Sequence, residues 1–353
     1  MTSYTPGLRV SEYVLEERVG QGTFGEVWRA RHHIWETERV AVKLPTEPEC
    51  VRQLQREGRV VHGLRHPNII RVLGLDPYAE VPYLVMELVR GPALREVLAQ
   101  HPTGLPIEPV VVILRGLLRA VSAAHAGGVL HRDLKPGNVL LDLDGRPLEA
   151  VAVDDVKVGD FGLGVGSADT LRSMIEQSAS LARDEKTAAL TGTLAYMSPE
   201  VRDGEREHDA RSDLYAIGVM LFEMLTGDRP AGAELPGTVR PDVPTVLDDV
   251  FRRLYARHEN RYSTADEVLA ELEAAFAPPR RPPPVPPMPS AEPRARRTSC
   301  ARCGAVVEPD DQFCTQCGRQ LVADVRRCPA CRSFPGPDDR YCIICGAVLA
   351  TQE

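Results

Sequence analysis

The sequence predicts an α+β fold with a small β-rich lobe, a larger helical lobe and a short cysteine-rich tail. Three observations predict it. Over about the first 90 residues, short β-rich runs (VLEERVG, GEVWRARHH, RVAVKL, PYLVMEL) alternate with turns, which reads as a small antiparallel sheet. Beyond Gly91, apolar residues recur at a helical period in LREVLAQ, EPVVVILRGLLRAVSAAHAGG, RSDLYAIGVMLFEMLTG and STADEVLAELEAAF. Finally, eight of the nine cysteines lie between Cys300 and Cys345 as CxxC pairs.

A chain of 353 residues is long enough for about two folded units and a sizeable core. Its 43% hydrophobic and 26% charged residues are those of a globular protein and exclude wholesale disorder. A formal net charge of -8 argues against a surface devoted to nucleic acid. There is no apolar run long enough to span a membrane, and the start MTSYTPGLRVSEYVLEE lacks a signal-peptide pattern, so a cytoplasmic location without membrane contact is expected. Clustered cysteines fit the same compartment, since a disulfide scaffold would distribute them differently. Cys50, alone in the first 299 residues, reads as an ordinary thiol.

Chemistry begins at Gly20-Gln-Gly22-Thr-Phe-Gly25-Glu-Val27. Glycines let a backbone approach phosphates and aim its amides at them. A dinucleotide fold would need a helix straight after them, whereas EVWRAR continues as a strand, so a hairpin is expected. Sixteen residues past Val27, Lys43 ends the apolar run Val40-Ala-Val-Lys43. Its ammonium needs an anionic partner there, and phosphates or Glu57, on the helical stretch VRQLQREGRVVHGL, would supply one; the alternative is a lysine that snorkels to solvent.

Val129-Leu-His131-Arg132-Asp133-Leu-Lys135-Pro-Gly-Asn138 gathers a carboxylate, a cation and a carboxamide within six residues. Asp133 can accept or orient a hydroxyl proton, Lys135 can neutralise a transferring phosphate, and Asn138 can offer an oxygen to a hard cation. Lys157-Val-Gly-Asp160-Phe161-Gly162 puts a second carboxylate after a strand, suited to the same Mg²⁺.

These motifs together resemble the eukaryotic-type (Hanks-type) serine/threonine protein kinase family in its bacterial form, over about residues 13 to 276. The order is complete: GQGTFGEV, AVK, Glu57, HRDLKPGN, DFG and Ser198-Pro199-Glu200 where the family has APE. The resemblance implies a two-lobed kinase fold with lobes at about 13–88 and 89–276, an extension at 1–12, a linker at 277–298 and a tail at 299–353. It further implies that Lys43 contacts the α and β phosphates of ATP, Glu57 pairs with Lys43, Asp133 is the catalytic base, and Asn138 and Asp160 hold Mg²⁺ or Mn²⁺. On the same ground Gly20, Gly22 and Gly25 cover the phosphates, Glu87 and Val89 form the hinge that binds adenine, Met86 is the gatekeeper, and Val19, Val27, Ala41 and Leu140 sandwich the base. Lys135 implies the serine/threonine branch, with protein substrates, and Thr193 supports it by resembling the threonine that bonds to the catalytic aspartate. Arg132 implies a phosphorylated activation loop, for which Thr187 and Thr191 are the candidates. Asp213 and Arg261 match structural anchors, with Arg261 paired to Glu200.

Three departures stand out. The segment between Asn138 and Asp160 is long, which implies an extra loop in the hairpin before DFG. That from Gly162 to Leu190 is long as well, and holds the helical-looking LRSMIEQSASLARDE, a candidate inhibitory or docking element. The stretch from Gly227 to Leu247 is short, which implies an abbreviated helix. A pseudokinase that binds without transferring phosphate is the competing reading, although nothing required for transfer is missing.

PPRRPPPVPPMP, Pro278 to Pro289, fixes φ and lacks amide donors, so it reads as a semi-rigid spacer that a groove for PxxP could also bind. After it, Cys300, Cys303, Cys314 and Cys317, then Cys328, Cys331, Cys342 and Cys345, repeat one spacing with a 28-residue period. Two CxxC turns complete a tetrahedron of thiolates, and glycine after Cys303, Cys317 and Cys345 relieves the tight backbone. The tail resembles a double zinc ribbon with two structural Zn²⁺; a rubredoxin-like iron site is the alternative. So few apolar residues make metal binding part of the folding energy. Contact with a partner protein is the expected role. Nucleic acid, suggested by Arg294, Arg296, Arg297, Arg302, Arg319, Arg326 and Arg327, is not favoured, because basic residues usually form a solvated face. A further alternative makes the ribbons the main function and the kinase their regulator.

Overall fold

The computed structural model describes residues 4–22, 25–46, 51, 54, 63–161, 194–276, 298–308, 311–336 and 339–349. The backbone divides into two compact units, Met1–Pro278 and Pro279–Glu353.

The first unit opens with an antiparallel sheet of six strands: β1 (Arg9–Val10), β2 (Tyr13–Gly22), β3 (Gly25–His32), β4 (Arg39–Leu44), β5 (Val72–Asp76) and β6 (Tyr83–Glu87). Their spatial order is β1-β2-β3-β4-β6-β5, so β6 returns to pair with β4 and leaves β5 at the edge. Side chains alternate between faces, and the alternation sorts them into two clusters. Trp28, Val40, Val42, Leu44 and Val85 bury one face together with Leu15 and Val10. Ala41, Met86 and Leu84 bury the other with Leu54, flanked by Val27. Lys43 pairs across the sheet with Val27 and so belongs to this second face. Gly25 is required by close packing, because a Cβ there would collide with the Leu44 carbonyl oxygen.

The helical part contains α1 (Leu94–Gln100), α2 (Ile107–Ala126), α3 (Pro199–Arg202), α4 (Ala210–Thr226), α5 (Pro236–Val239), α6 (Thr245–Leu254) and α7 (Ala265–Ala275). Between α2 and α3 lies a two-stranded ladder, β7 (Val139–Leu141) with β8 (Val156–Val158). Helix α4 is apolar over most of its circumference and is buried accordingly. Its ends follow from sequence: Asp209 caps the N-terminus by accepting from Ser212 N at 3.1 Å, and Gly227 ends it at φ 87°. Gly116 of α2 admits the Val156 side chain of β8, which seats the ladder on the helical core. The short α5 is the abbreviated helix expected after Gly227. None of the helices described is long and apolar enough to cross a membrane.

In the second unit, β9 (Thr298–Ser299) pairs with β10 (Val306–Val307). Single antiparallel bridges, Phe313 with Gln320 and Tyr341 with Val348, close the two later hairpins.

Candidate active site and zinc centres

The β7–β8 ladder sets the geometry of the cleft. Asp133 and Asn138 precede or end the loop into β7, while Asp160 follows β8, and Gly159 N donates to Asn138 O at 2.9 Å where the two chains meet. A three-residue ladder, Val139 with Val158 through Leu141 with Val156, therefore brings both carboxylate loops side by side. The long connection between the strands folds around Arg146. Its guanidinium donates to the carbonyls of Leu143, Ala150 and Asp142 at 3.0, 3.1 and 2.9 Å and pairs with Asp155 at 2.8 Å. This is the extra loop expected from the segment's length.

Within the first loop, Lys135 Nζ donates to Asp133 Oδ2 at 2.8 Å, and Asn138 Nδ2 donates to Asp133 O at 2.7 Å and Oδ2 at 3.2 Å. The amide nitrogen of Asn138 is thus engaged, and its oxygen is the end suited to a hard cation. Asp133 Oδ1 is buried and has no partner among the described residues. Such a buried acceptor is suited to a hydroxyl donor, whether a substrate's or that of Thr193, which lies outside the described residues.

His131 couples the two loops. Its Nε2 donates to Gly159 O at 2.9 Å, its Nδ1 accepts from Asp133 N at 3.3 Å, and its ring lies 4.5 Å from that of Phe161. Complete burial lowers its pKa despite the nearby carboxylates, which keeps the ring neutral and preserves the acceptor. Arg132 and Asp160 both adopt left-handed backbone, with φ of 69° and 60°, strain of the kind that concentrates at functional sites.

Below the loop, Asp213 of α4 acts as an anchor. It accepts from His131 N at 2.9 Å and Arg132 N at 3.0 Å, and also from His125 Nε2 and His208 Nε2, each at 2.8 Å. Burial would raise its pKa, but these donors hold it far below the ordinary carboxylate value. His125 and His208 escaped sequence reasoning, as neither stands in a motif that separates it from other histidines.

Across the cleft, Lys43 Nζ is 2.8 Å from Asp160 Oδ1, with the lysine only 5% exposed. The sequence-selected residues Val27, Ala41 and Met86 share one apolar cluster, while Val19 stands 49% exposed. Gly20 pairs with Val27, and Gly22 with Gly25, across the β2–β3 hairpin. Leu140 and Val89 are half-buried. The Glu87 carboxylate accepts from Arg71 N at 2.9 Å and lies 3.7 Å from Lys157. Glu57, Gly162, Thr187, Thr191, Thr193, the helical-looking insert and the proline-rich segment lie outside the described residues.

Farther from the cleft, Arg261 meets Glu200, the pairing the resemblance implies, and the contact is bidentate, at 2.5 and 2.9 Å, with both residues buried.

Residues 13–268 match the family model described as a protein kinase domain. The chain belongs to the protein kinase family. Residues 300–346 match a second model, the double zinc ribbon. Among relatives, this kinase chain is 34% identical over 289 residues to a probable serine/threonine-protein kinase of Streptomyces coelicolor, covering 75% of this chain and 40% of the relative. It is 33% identical over 294 residues to the serine/threonine-protein kinase PknB of Mycolicibacterium smegmatis, covering 76% and 43%. It is 30% identical over 292 residues to the serine/threonine-protein kinase PrkC of Bacillus subtilis, covering 76% and 41%. The chain thus spans about two fifths of the length of the curated relatives it matches. Among solved structures, the kinase domain of Mycobacterium tuberculosis PknI superposes with a TM-score of 0.57 at 23% identity, covering 77% of this chain and 99% of that one, a likeness of fold.

The cysteines form two clusters, each with its four sulfurs within 4.8 Å of one another. Cys300 and Cys317 lie 3.7 Å apart and Cys303 and Cys314 3.6 Å; in the second cluster, Cys328 and Cys345 lie 3.6 Å apart and Cys331 and Cys342 3.5 Å. A tetrahedron with Zn–S of about 2.3 Å has edges of about 3.8 Å, so the donor sets fit zinc, and these separations are far beyond a disulfide bond of about 2.05 Å. Backbone N–H groups of Arg302 and Cys303 lower the Cys300 thiol to about 6, and the Ser333 hydroxyl and the Cys345 amide lower Cys342 to about 6. Against the Ala305 and Ala347 amides, the neighbouring thiols push Cys303 and Cys345 up to about 12, so that without metal each cluster shares its charge unevenly. Gly304, Gly318 and Gly346 turn with φ of 73°, 72° and 71°, as their position after each cysteine suggested. The fourth knuckle turns the same way at Arg332, φ 62°, which pays the steric penalty that glycine avoids.

Proposed function

We propose that the chain is a serine/threonine protein kinase that transfers the γ-phosphoryl group of ATP to hydroxyls of protein substrates. The observation that carries this reading is the convergence of Lys43, Asp133, Lys135, Asn138 and Asp160 on one cleft, with a buried carboxylate oxygen on Asp133 that has no partner among the described residues. The substrate hydroxyl donates to Asp133, which takes its proton as the oxygen bonds to the γ-phosphorus and the bond to the β–γ bridging oxygen breaks, releasing ADP. Lys135 neutralises charge on the transferring group, and Lys43 binds the α and β phosphates. Asn138 and Asp160 would hold Mg²⁺ or Mn²⁺, which supplies charge neutralisation across the phosphates when bound. Gly20, Gly22 and Gly25 cover the phosphates, while Val19, Val27, Ala41, Met86, Glu87, Val89 and Leu140 take the adenine. Glu57 fixes Lys43.

The reading assigns residues 13–276 to the kinase, 277–298 to a linker and 299–353 to two zinc ribbons, each with one structural Zn²⁺. It includes autophosphorylation at Thr187 or Thr191. A cytosolic location is supported by cysteines arranged as metal ligands rather than disulfides. The ribbons serve as a protein-recognition module; Glu308, Asp311, Asp324 and Asp339 interleave with their arginines, which disfavours nucleic acid. Phosphoamino acid analysis of labelled products tests the acceptor class: phosphoserine and phosphothreonine are expected, and phosphotyrosine alone would overturn it.

A further inference from the structure

The tail repeats in backbone as it does in sequence. Cys300 N donates to Ala305 O at 2.8 Å and Cys328 N to Ser333 O at 2.9 Å; Leu321 N donates to Gln312 O and Leu349 N to Arg340 O, both at 2.9 Å. Positions 28 apart are therefore equivalent, and a contact made by one ribbon has a counterpart position on the other.

The first ribbon's hairpin already holds a segment of the second. Phe313 meets Phe334 edge-on with ring centroids 5.1 Å apart, Gln312 Nε2 donates to Pro335 O at 2.5 Å, and Gln312 Oε1 accepts from Arg326 N at 2.6 Å. Arg326 Nη1 donates to Gly336 O at 3.0 Å. Shifted by one period, the holding residues Gln312 and Phe313 become Arg340 and Tyr341, and the held residues Phe334, Pro335 and Gly336 become Val306, Val307 and Glu308. Among the described residues, each counterpart face presents one exposed apolar side chain, while Val307 is buried in the first ribbon's own core. Tyr341 is 61% exposed where Phe313 is half-buried, and Val306 is 62% exposed.

The open hairpin is also more apolar than its twin. Ile343, Ile344 and Val348 stand where the first ribbon has Thr315, Gln316 and Gln320, and they are 82%, 71% and 73% exposed. Val348 is the cross-strand partner of Tyr341, and Ile343 and Ile344 follow Tyr341 in the same hairpin. Such a patch on so small a module marks a contact surface. Charge points to the occupant: Arg340 replaces a neutral Gln312 on the holding face, next to Tyr341, and Glu308 replaces Gly336 on the held one, two residues from Val306, so the two faces carry opposite charges.

We propose that the second ribbon's hairpin in one chain docks on the Val306–Glu308 edge of the first ribbon in a second copy, with Tyr341 against Val306 where Phe313 meets Phe334 and with Arg340 donating as Gln312 Nε2 does, while the acceptor role of Gln312 Oε1 has no counterpart in Arg340. The interface is heterologous, so it closes into a ring or extends into a chain of copies. It is small, which places the affinity in the micromolar range or weaker.

Sedimentation of the zinc-loaded 353-residue chain from about 1 to 100 µM tests this. The wild type is expected to exceed the 38.8 kDa monomer mass as concentration rises. Tyr341→Asp and Val306→Asp should each remain monomeric while still binding two zinc ions, with Val348→Asp as a second probe of the hairpin. An equimolar mixture of the Tyr341 and Val306 variants should recover a one-to-one pair, because one intact face survives on each partner. A monomeric wild type, association that survives both substitutions, or a mixture that stays monomeric would each overturn the proposal.

Discussion

His208 Nε2 lies 2.8 Å from Asp213 Oδ1, on the same oxygen that accepts the backbone N–H of Arg132. The histidine thus helps to fix the carboxylate that holds the loop carrying Asp133. Replacing His208 with leucine is expected to lower kcat by on the order of tenfold through misplacement of that loop, with little change in KM for ATP. An equal rise in KM would show that binding, rather than loop position, is what His208 supports.

Asp213→Ala should be far more damaging. It strands the buried N–H of His131, the partly buried N–H of Arg132 and two imidazoles, for a loss of about 3–5 kcal/mol in stability by chemical denaturation. A loss under about 1 kcal/mol would remove Asp213 from its place as the anchor.

Acid should weaken the fold in two stages. His131 has a lowered pKa, so the unfolded chain binds a proton that the folded chain refuses, and stability falls as pH drops below about 6.5. Asp213 and Glu200 also have lowered pKa values; their contribution is present above the unfolded carboxylate range and is lost as pH falls below about 4 toward their folded values. Urea midpoints between pH 4.5 and 7.5 should show the first stage, and a His131→Gln variant should flatten it. An unchanged slope in the variant would assign that stage to another group.

The pair between Arg261 and Glu200 is buried on both sides. Glu200→Ala leaves an uncompensated guanidinium and should cost about 3–5 kcal/mol, whereas replacing both residues with apolar side chains of similar size should cost much less. Equal losses in the single and double variants would contradict an ion-pair origin.

Chelation should separate the two units. Each chain is expected to carry two zinc ions, and their removal should unfold residues 300–346 while leaving the thermal transition of the first unit in place. Retention of the tail's structure in the metal-free chain would show that zinc is not part of its folding energy.

Mass spectrometry of active protein should find phosphate on Thr187 or Thr191. Absence at both, with full activity in the double alanine variant, would dismiss autophosphorylation there.

Much of the cleft was legible because its chemistry is compressed into short motifs: Asp133, Lys135 and Asn138 lie within six residues, and Lys43 ends the apolar run Val40-Ala-Val, where an ammonium needs an anionic partner. Asp213 and Arg261 were readable as anchors for the same reason. Strand β5 was not, since VLGLD is short, half-buried and bulged against β6 at Gly74. His125 and His208 were invisible because their partner, Asp213, is distant from His125 in sequence and their spacing has no period. In the tail the metal ligands were plain, but the Phe313–Phe334 contact depends on how the ribbons fold back, and Arg332 sits where the other three knuckles have glycine.

The most direct measurement is transfer of labelled phosphate from ATP to the chain itself and to a generic basic protein, comparing wild type with Asp133→Asn in the presence of Mg²⁺. The account predicts robust labelling by the wild type and a drop of about 10²–10⁴-fold in the variant. Metal-replete wild type that labels no hydroxyl, or a variant that labels as fast, would contradict it.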